Sequence, residues 1–280
     1  MERQVVEADG LAEYDWTSVS DAPQSRTSGI RCSLPFAKGL MCGNPRHREE
    51  RSPDSEVIAG GGGSHDVWFV RSGILRLQRF SYDGRRQILS LFLPGEFVGI
   101  ESEFREGLSV ETVSQSSLCR IDRRKFDKML AENDLLRAEL FRQKQSQLDR
   151  LHWLTWSLGA LGPEERLCAF LALSSTFMPY QPLPDGSAVL SVLLPRKDIA
   201  DLLATTVESI CRIVHRLSEA GIIEIRDPAH FRIVDLEKLI AHGQIGGHFD
   251  RMRCGIAGQS RRAAEITVPD TKARVCYCGR

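Results

Sequence analysis

The chain has 280 residues, room for one large domain or two ordinary ones, and 42% of them are hydrophobic and 26% charged, the balance of a globular protein. Lys plus Arg and Asp plus Glu both number 37, so bulk charge cannot hold this protein to nucleic acid and only a local basic face could. No apolar run approaches the roughly 20 residues of a membrane span, and the first residues, Met-Glu-Arg-Gln-Val-Val-Glu-Ala-Asp, lack the basic and apolar regions of a secretory signal. The expectation is a cytoplasmic chain with no membrane contact. Its eight cysteines, at 32, 42, 119, 168, 211, 254, 276 and 278, then read as core, metal or redox residues rather than structural disulfides.

Residues 1–31 are polar and without period, and are expected to be a mobile arm; 243–280, with Gly-Gly and scattered arginines, are expected to be a flexible tail. Between them there is room for two modest cores. From Glu56 to Asp122 the chain punctuates like a β protein. Val67–Val70 ends at Ser72-Gly73, Ile74–Phe80 runs into the hairpin signal Tyr82-Asp83-Gly84, and Gln87–Leu93 alternates, with Leu89, Leu91 and Leu93 on one face. Pro94-Gly95, Phe97–Ile100, Val110–Val113 and Leu118–Ile121 complete a run of short strands that predicts a small barrel or jelly roll.

The period then lengthens. Asp122 can cap a short helix, Arg123–Ala131, and Asn133 a longer one to about Leu158. At about 25 residues and 38 Å, that helix exceeds what a small domain needs. Within 134–161 the apolar positions Leu136, Leu140, Leu148, Leu151, Leu154 and Leu158 predict a two-helix dimer seam, weakened by the polar stretch Arg142–Gln147. Gly162-Pro163-Glu164-Glu165 starts a further helix, with proline at the first position and acids at the positive end of the dipole. Cys168, on that helix's apolar face, reads as core.

The segment Leu194–Asp235 carries the most chemistry. Arg196-Lys197-Asp198 opens a short helix, Ala204-Thr205-Thr206 turns the chain, and Val207–Ala220 forms a second helix stopped at Gly221. One face of that helix is Ile210, Ile213, Val214 and Leu217; the other is Glu208, Cys211, Arg212, His215 and Arg216. A helix apolar on one side and carrying carboxylate and guanidinium on the other suits a DNA major groove, since arginine matches guanine O6 and N7 and glutamate accepts from cytosine N4. Small Ala200 lets the two helices cross closely, and Ile222–Arg226 with Phe231–Val234 predicts a wing. The predicted contacts are Arg196, Lys197, Thr206, Val207, Glu208, Cys211, Arg212, His215 and Arg216. The plainer reading, a solvated helix with i,i+4 charges, does not account for helix, turn, helix and hairpin in that order.

The order of β-roll, long helix and winged helix-turn-helix resembles the cyclic-AMP-receptor and fumarate–nitrate-regulator (Crp/Fnr) superfamily of bacterial transcription factors over about residues 32–240. The carriers are Ser55-Glu56-Val57-Ile58, Val67-Trp68-Phe69-Val70-Arg71-Ser72-Gly73, Gly84-Arg85-Arg86-Gln87-Ile88, Leu93-Pro94-Gly95-Glu96-Phe97-Val98-Gly99, Glu165-Arg166-Leu167 and Leu194–Ile223. The resemblance is greatest to the FNR/FixK-like branch, whose recognition helix shows Glu-x-x-Ser-Arg; Glu208 and Arg212 fit, and Cys211 replaces the serine. It implies an α+β fold: a cyclic-nucleotide-binding-like β-roll over 32–133, a dimerisation helix over 134–161, and a winged helix-turn-helix over 162–242. It also implies a homodimer on a palindromic TTGAT/ATCAA-like site in double-stranded DNA, and RNA polymerase as a partner.

For the signal, three readings compete. Cyclic AMP requires an arginine to pair with the cyclic phosphate, and the second half of that cassette reads Leu108-Ser109-Val110 after Gly95-Glu96-Phe97, which argues against it. An iron–sulfur cluster sensing oxygen or redox state is implied by Cys32 and Cys42, which resemble the branch's cysteine segment with one member missing, and by Cys119 where its distant ligand would stand; His47, an acid such as Glu49 or Glu50, or a small exogenous group could be the fourth ligand. The alternative is a regulator without a cluster, controlled by a small ligand (a nucleotide, or nitric oxide through haem), by a thiol switch at Cys211, or by its own abundance. An enzyme is the rival of another class, but there is no Gly-x-Ser-x-Gly, and Gly60–Gly63 lacks the lysine of a phosphate loop.

Overall fold

The computed structural model describes residues 48–59, 66–100 and 107–250. The expected arm and the positions Cys32, Cys42, His47, Cys254, Cys276 and Cys278 lie outside the described residues.

The N-terminal half is two four-stranded sheets folded face to face as a jelly roll. The first has the order β1 (Arg48–Arg51), β8 (Ser116–Asp122), β3 (Asp66–Ser72), β6 (Phe97–Val98), and the second β2 (Glu56–Ile58), β7 (Leu108–Thr112), β4 (Leu75–Phe80), β5 (Arg86–Phe92). Trp68, Val70, Leu75, Phe92, Val98, Val110 and Leu118 fill the space between them. Gly73 (φ +86°) is required here, because a Cβ would lie 2.1 Å from Ser116 Oγ. The expected alternation along β5 breaks at a bulge. Leu77 pairs with Ser90 but Gln78 with Ile88, so Leu89 is the extra residue. Phe92 then points into the roll while Ile88 faces the C-terminal half.

Helix α1 (Arg123–Glu132) starts where Asp122 accepts from Lys125 N, and α2 (Asp134–Ala160) where Asn133 accepts from Leu136 N at 3.0 Å, both as the caps predict. The expected seam along α2 is corrected by burial. Leu136 and Leu140 pack under the roll with Phe69, Phe97, Cys119 and Phe126, and Leu154 and Leu158 pack into the C-terminal core. Only Leu148 and Leu151 of the six are exposed, and they share the outer surface with Phe141 and Trp156. The polar stretch is not a weak middle either. Gln143 is 2% exposed; its amide donates to Gly95 O at 2.9 Å and accepts from Phe97 N at 3.2 Å, riveting α2 to the roll.

The C-terminal half contains α3 (Pro163–Ser174), the strand pair β9 (Tyr180–Pro182) and β10 (Ala188–Ser191), then α4 (Arg196–Leu202), α5 (Val207–Glu219), β11 (Ile223–Ile225), β12 (His230–Ile233) and α6 (Leu236–His242). Its sheet has the order β11-β12-β10-β9. The domain boundary at 242 is corrected: Ile245 and Phe249 are 1% and 4% exposed, His248 stacks on Trp153, and Gly243 lies so close to α3 that a Cβ would meet Ala169 N at 2.6 Å. The expectation of two separate cores is also corrected. Ile74, Ile88, Leu93 and Val113 of the roll join Ile199, Leu202, Leu203, Ile210 and Phe231 in one continuous cluster.

Candidate nucleic-acid interface

Thr206 caps α5, its Oγ1 accepting from Ser209 N at 3.2 Å. Ile210, Ile213, Val214 and Leu217 are buried against the core, which turns Val207, Glu208, Cys211, Arg212, His215 and Arg216 outward, all exposed. The preceding turn passes through Ala204 at φ +48°, a left-handed conformation that costs a Cβ-bearing residue roughly 1–2 kcal/mol. That turn sets α5 across α4.

The exposed face is chemically mixed. The Glu208 carboxyl is held below the usual carboxylate range by its own backbone amide and the Thr206 hydroxyl, with Arg212 adding, so it stands ionised as an acceptor. Arg212 reaches Ser209 Oγ at 3.4 Å and otherwise projects to solvent. Arg216 is engaged by Glu164 of α3 at 2.6 Å, an exposed pair of little net worth that a phosphate could replace.

Two expected contacts lie differently. Lys197 is exposed, but Arg196 folds inward with its guanidinium 4.7 Å from the Phe231 ring centroid, and burial lowers its pKa from the ordinary arginine value. Its guanidinium therefore packs on the ring of the wing strand β12. The wing turn is organised by Asp227, which accepts from Ala229 N at 2.8 Å and His230 N at 2.9 Å; Arg232 at its base pairs with Glu224 and Asp185. The Asp227-Pro228 dipeptide was the available signal for this turn. The Arg196 stack had none, since it joins residues 35 positions apart.

The positions read for a sensor are also placed. Glu96 is 3% exposed and fully engaged, one oxygen with Arg150 of α2 at 2.7 Å and the other accepting from Leu93 N at 3.0 Å. Leu108 packs on the apolar filling of the roll. Cys119 is 2% exposed in the apolar cluster beneath α1 and α2. Glu49 and Glu50, considered as fourth ligands, are ion-paired with Arg51 and Arg48. Among the described residues no three His, Cys, Asp or Glu side chains group to hold a metal; Cys32, Cys42 and His47, the other proposed ligands, lie outside them. Cys168 is core as expected, its thiol pushed up to about 12 by burial. No helix among the described residues is long and apolar enough to cross a membrane.

Residues 165–242 match the model of the Crp-like helix-turn-helix domain, and residues 49–133 that of the cyclic nucleotide-binding domain. A probable transcriptional activator of Rhizobium leguminosarum bv. viciae is 30% identical over 213 residues, 75% of this chain and 88% of the relative. The nitrogen fixation regulation protein FixK of Rhizobium meliloti is 30% identical over 194 residues, 69% of this chain and 84% of that one. In fold, the chain superposes on FixK2 from Bradyrhizobium japonicum with a TM-score of 0.62 at 22% identity, covering 69% of this chain and 95% of that one. A roll joined by a long helix to a winged helix-turn-helix, with relatives similar along most of their length, makes this chain a member of the Crp/Fnr family of transcription regulators.

Proposed function

We propose that the protein binds a palindromic TTGAT/ATCAA-like site in double-stranded DNA as a homodimer, one α5 in each of two major grooves about 34 Å apart. The observation that carries this reading is the outward face of α5, where ionised Glu208 and Arg212 stand one turn apart on a helix whose other side is buried. Arg212 takes guanine through two donors and Glu208 accepts from cytosine N4; Lys197, Val207, His215 and Arg216 flank them. The exposed apolar stripe Phe141, Leu148, Leu151 and Trp156 on α2 supports pairing between two copies. RNA polymerase is the further partner that regulation of transcription implies.

Gel shift at fixed salt tests this. Arg212→Ala should cost about 1–3 kcal/mol on the palindrome and relax the preference at one base pair. An equal loss on scrambled DNA would contradict base readout.

For the signal, we infer that cyclic AMP is not the ligand, because Glu96 is spent on Arg150 and Leu93 and Leu108 stands where a phosphate needs a cation. Oxygen or redox control is the second reading, supported by relatives named FnrL of Cereibacter sphaeroides and anaerobic regulatory protein of Haemophilus influenzae. Cys119 is the one proposed cysteine ligand among the described residues, and its place under α2 would pass a local change to the dimer helix. Absorbance of anaerobically purified protein decides it: broad bands near about 400 nm, lost in Cys119→Ala, would support a cluster, and a colourless sample would leave the cluster-free regulator.

A further inference from the structure

Helix α4 is fastened to the roll along its whole length. Asp198, in its first turn, is 3% exposed and receives Arg76 of β4 at 2.6 Å and Arg86 of β5. Arg86 also holds Asp201, one turn on, at 2.6 Å. At the far end Gln87 Nε2 donates to Leu202 O at 3.3 Å. Arg76, itself 4% exposed, is oriented from behind by Glu111, Asp54 and Gln78. Under the ion network, Ile88 meets the apolar side of α4, with Ile199 and Leu202 in the same cluster; the bulge at Leu89 is what turns Ile88 that way.

We propose that Arg76 and Arg86 are positioning residues for DNA reading: by clamping α4 to the β4–β5 hairpin they set the angle of α5 to the dimer helix, and so the half-site spacing that the protein accepts. The inference rests on the proposed reading of DNA by α5. Its physical basis is a continuous path of rigid contacts. From α5 it runs through α4 to β4 and β5, and from the roll to α2 through the Gln143 amide and the Glu96–Arg150 pair. Apolar packing of Leu154 and Leu158 of α2 into the C-terminal core is non-directional and leaves the head free to tilt; holding α4 at three points fixes the angle. One extra base pair between half-sites rotates one of them by about 35° and moves it by about 3.4 Å, so a fixed head discriminates between spacers and a swinging head does not. A bidentate guanidinium suits the task, since it fixes direction as well as distance.

The experiment is a spacer series: the palindrome with its half-sites moved apart or together by one and two base pairs, bound by the full-length protein and by Arg86→Gln and Asp201→Asn. The preference for the best spacer over its neighbours should fall roughly tenfold in both variants, an ordinary coupling free energy. Affinity for a single half-site should stay within about twofold of wild type, since no base contact is touched. Arg86→Lys, which keeps the charge but not the planar fork, should recover only a minor part of the preference. A spacer profile in Arg86→Gln parallel to that of wild type would overturn the proposal. Hydrogen exchange of the amides of 196–203 in the free protein separates this from the DNA reading itself: exchange should quicken in both variants, and unchanged exchange would overturn the clamp even for a protein that selects no palindrome.

Discussion

Gln143 shows how a single side chain reverses the meaning of its neighbourhood. In the sequence it belongs to a polar interruption of an apolar heptad, and a leucine there looks like a repair. In the fold its amide satisfies Phe97 N and Gly95 O inside a buried contact. Gln143→Leu leaves both unpaired and should destabilise the protein by roughly 1–3 kcal/mol, read from denaturant midpoints at constant slope, without strengthening self-association. Asp185 gives a pH-dependent counterpart. Its carboxyl is lowered from 3.8 to about 2 by the Ser187 hydroxyl, the Ser187 amide and Arg232. A depressed folded pKa means stability present above 3.8 and lost as pH falls toward about 2. Thermal melts of Asp185→Asn across that window should lack the share of acid destabilisation that the wild type shows, because the variant has no proton to take up there.

Among the elements, the strands of the roll after β1 and the helices α1, α2 and α5 were legible because short alternating runs, glycine turns and caps are local signals; the charged run Arg48–Arg51 gave no such signal. Asp122, Asn133 and Thr206 each mark a start that the fold uses. The pair β9–β10 was missed although Pro184-Asp185-Gly186 marks its turn, since Tyr180–Pro182 is too short and polar to announce a strand. The lateral roles on α2 were illegible for a different reason. Its leucines serve three surfaces in turn, the roll, the C-terminal core and solvent, so a single periodic stripe cannot be assigned to one neighbour. The exposed remnant makes its own prediction. Leu148→Glu should shift the monomer–dimer equilibrium toward monomer in sedimentation while leaving the melting temperature of the chain nearly unchanged, because Leu148 is 42% exposed. Loss of the fold would instead mean that Leu148 serves the core.

For the whole molecule, charge balance and core continuity point the same way. Residues 192–232 hold six basic and six acidic residues, and several of the acids face the protein rather than the groove: Asp198 and Asp201 hold the roll, and Glu224 holds Arg232. Arg196, Arg226 and Arg232 are engaged within the protein as well, so the face left for DNA stays close to charge balance. Because Ile74, Ile88, Leu93 and Val113 are packed with Ile199, Leu203 and Phe231, the two halves share one cooperative unit. A calorimetric melt should show one transition, and two resolved transitions would contradict the shared core.

That shared core also limits how the protein can be taken apart. A fragment beginning at Gly162 would carry the whole of the proposed reading surface, yet it would open to water the side of α4 that Ile88 covers and strand the Asp198 carboxylate without its guanidinium partners. The head is therefore not a portable part. A chimera that grafts it onto a foreign roll must bring along the bulged hairpin that receives it, so inheritance and engineering alike have to treat β4, β5 and α4 as one cassette.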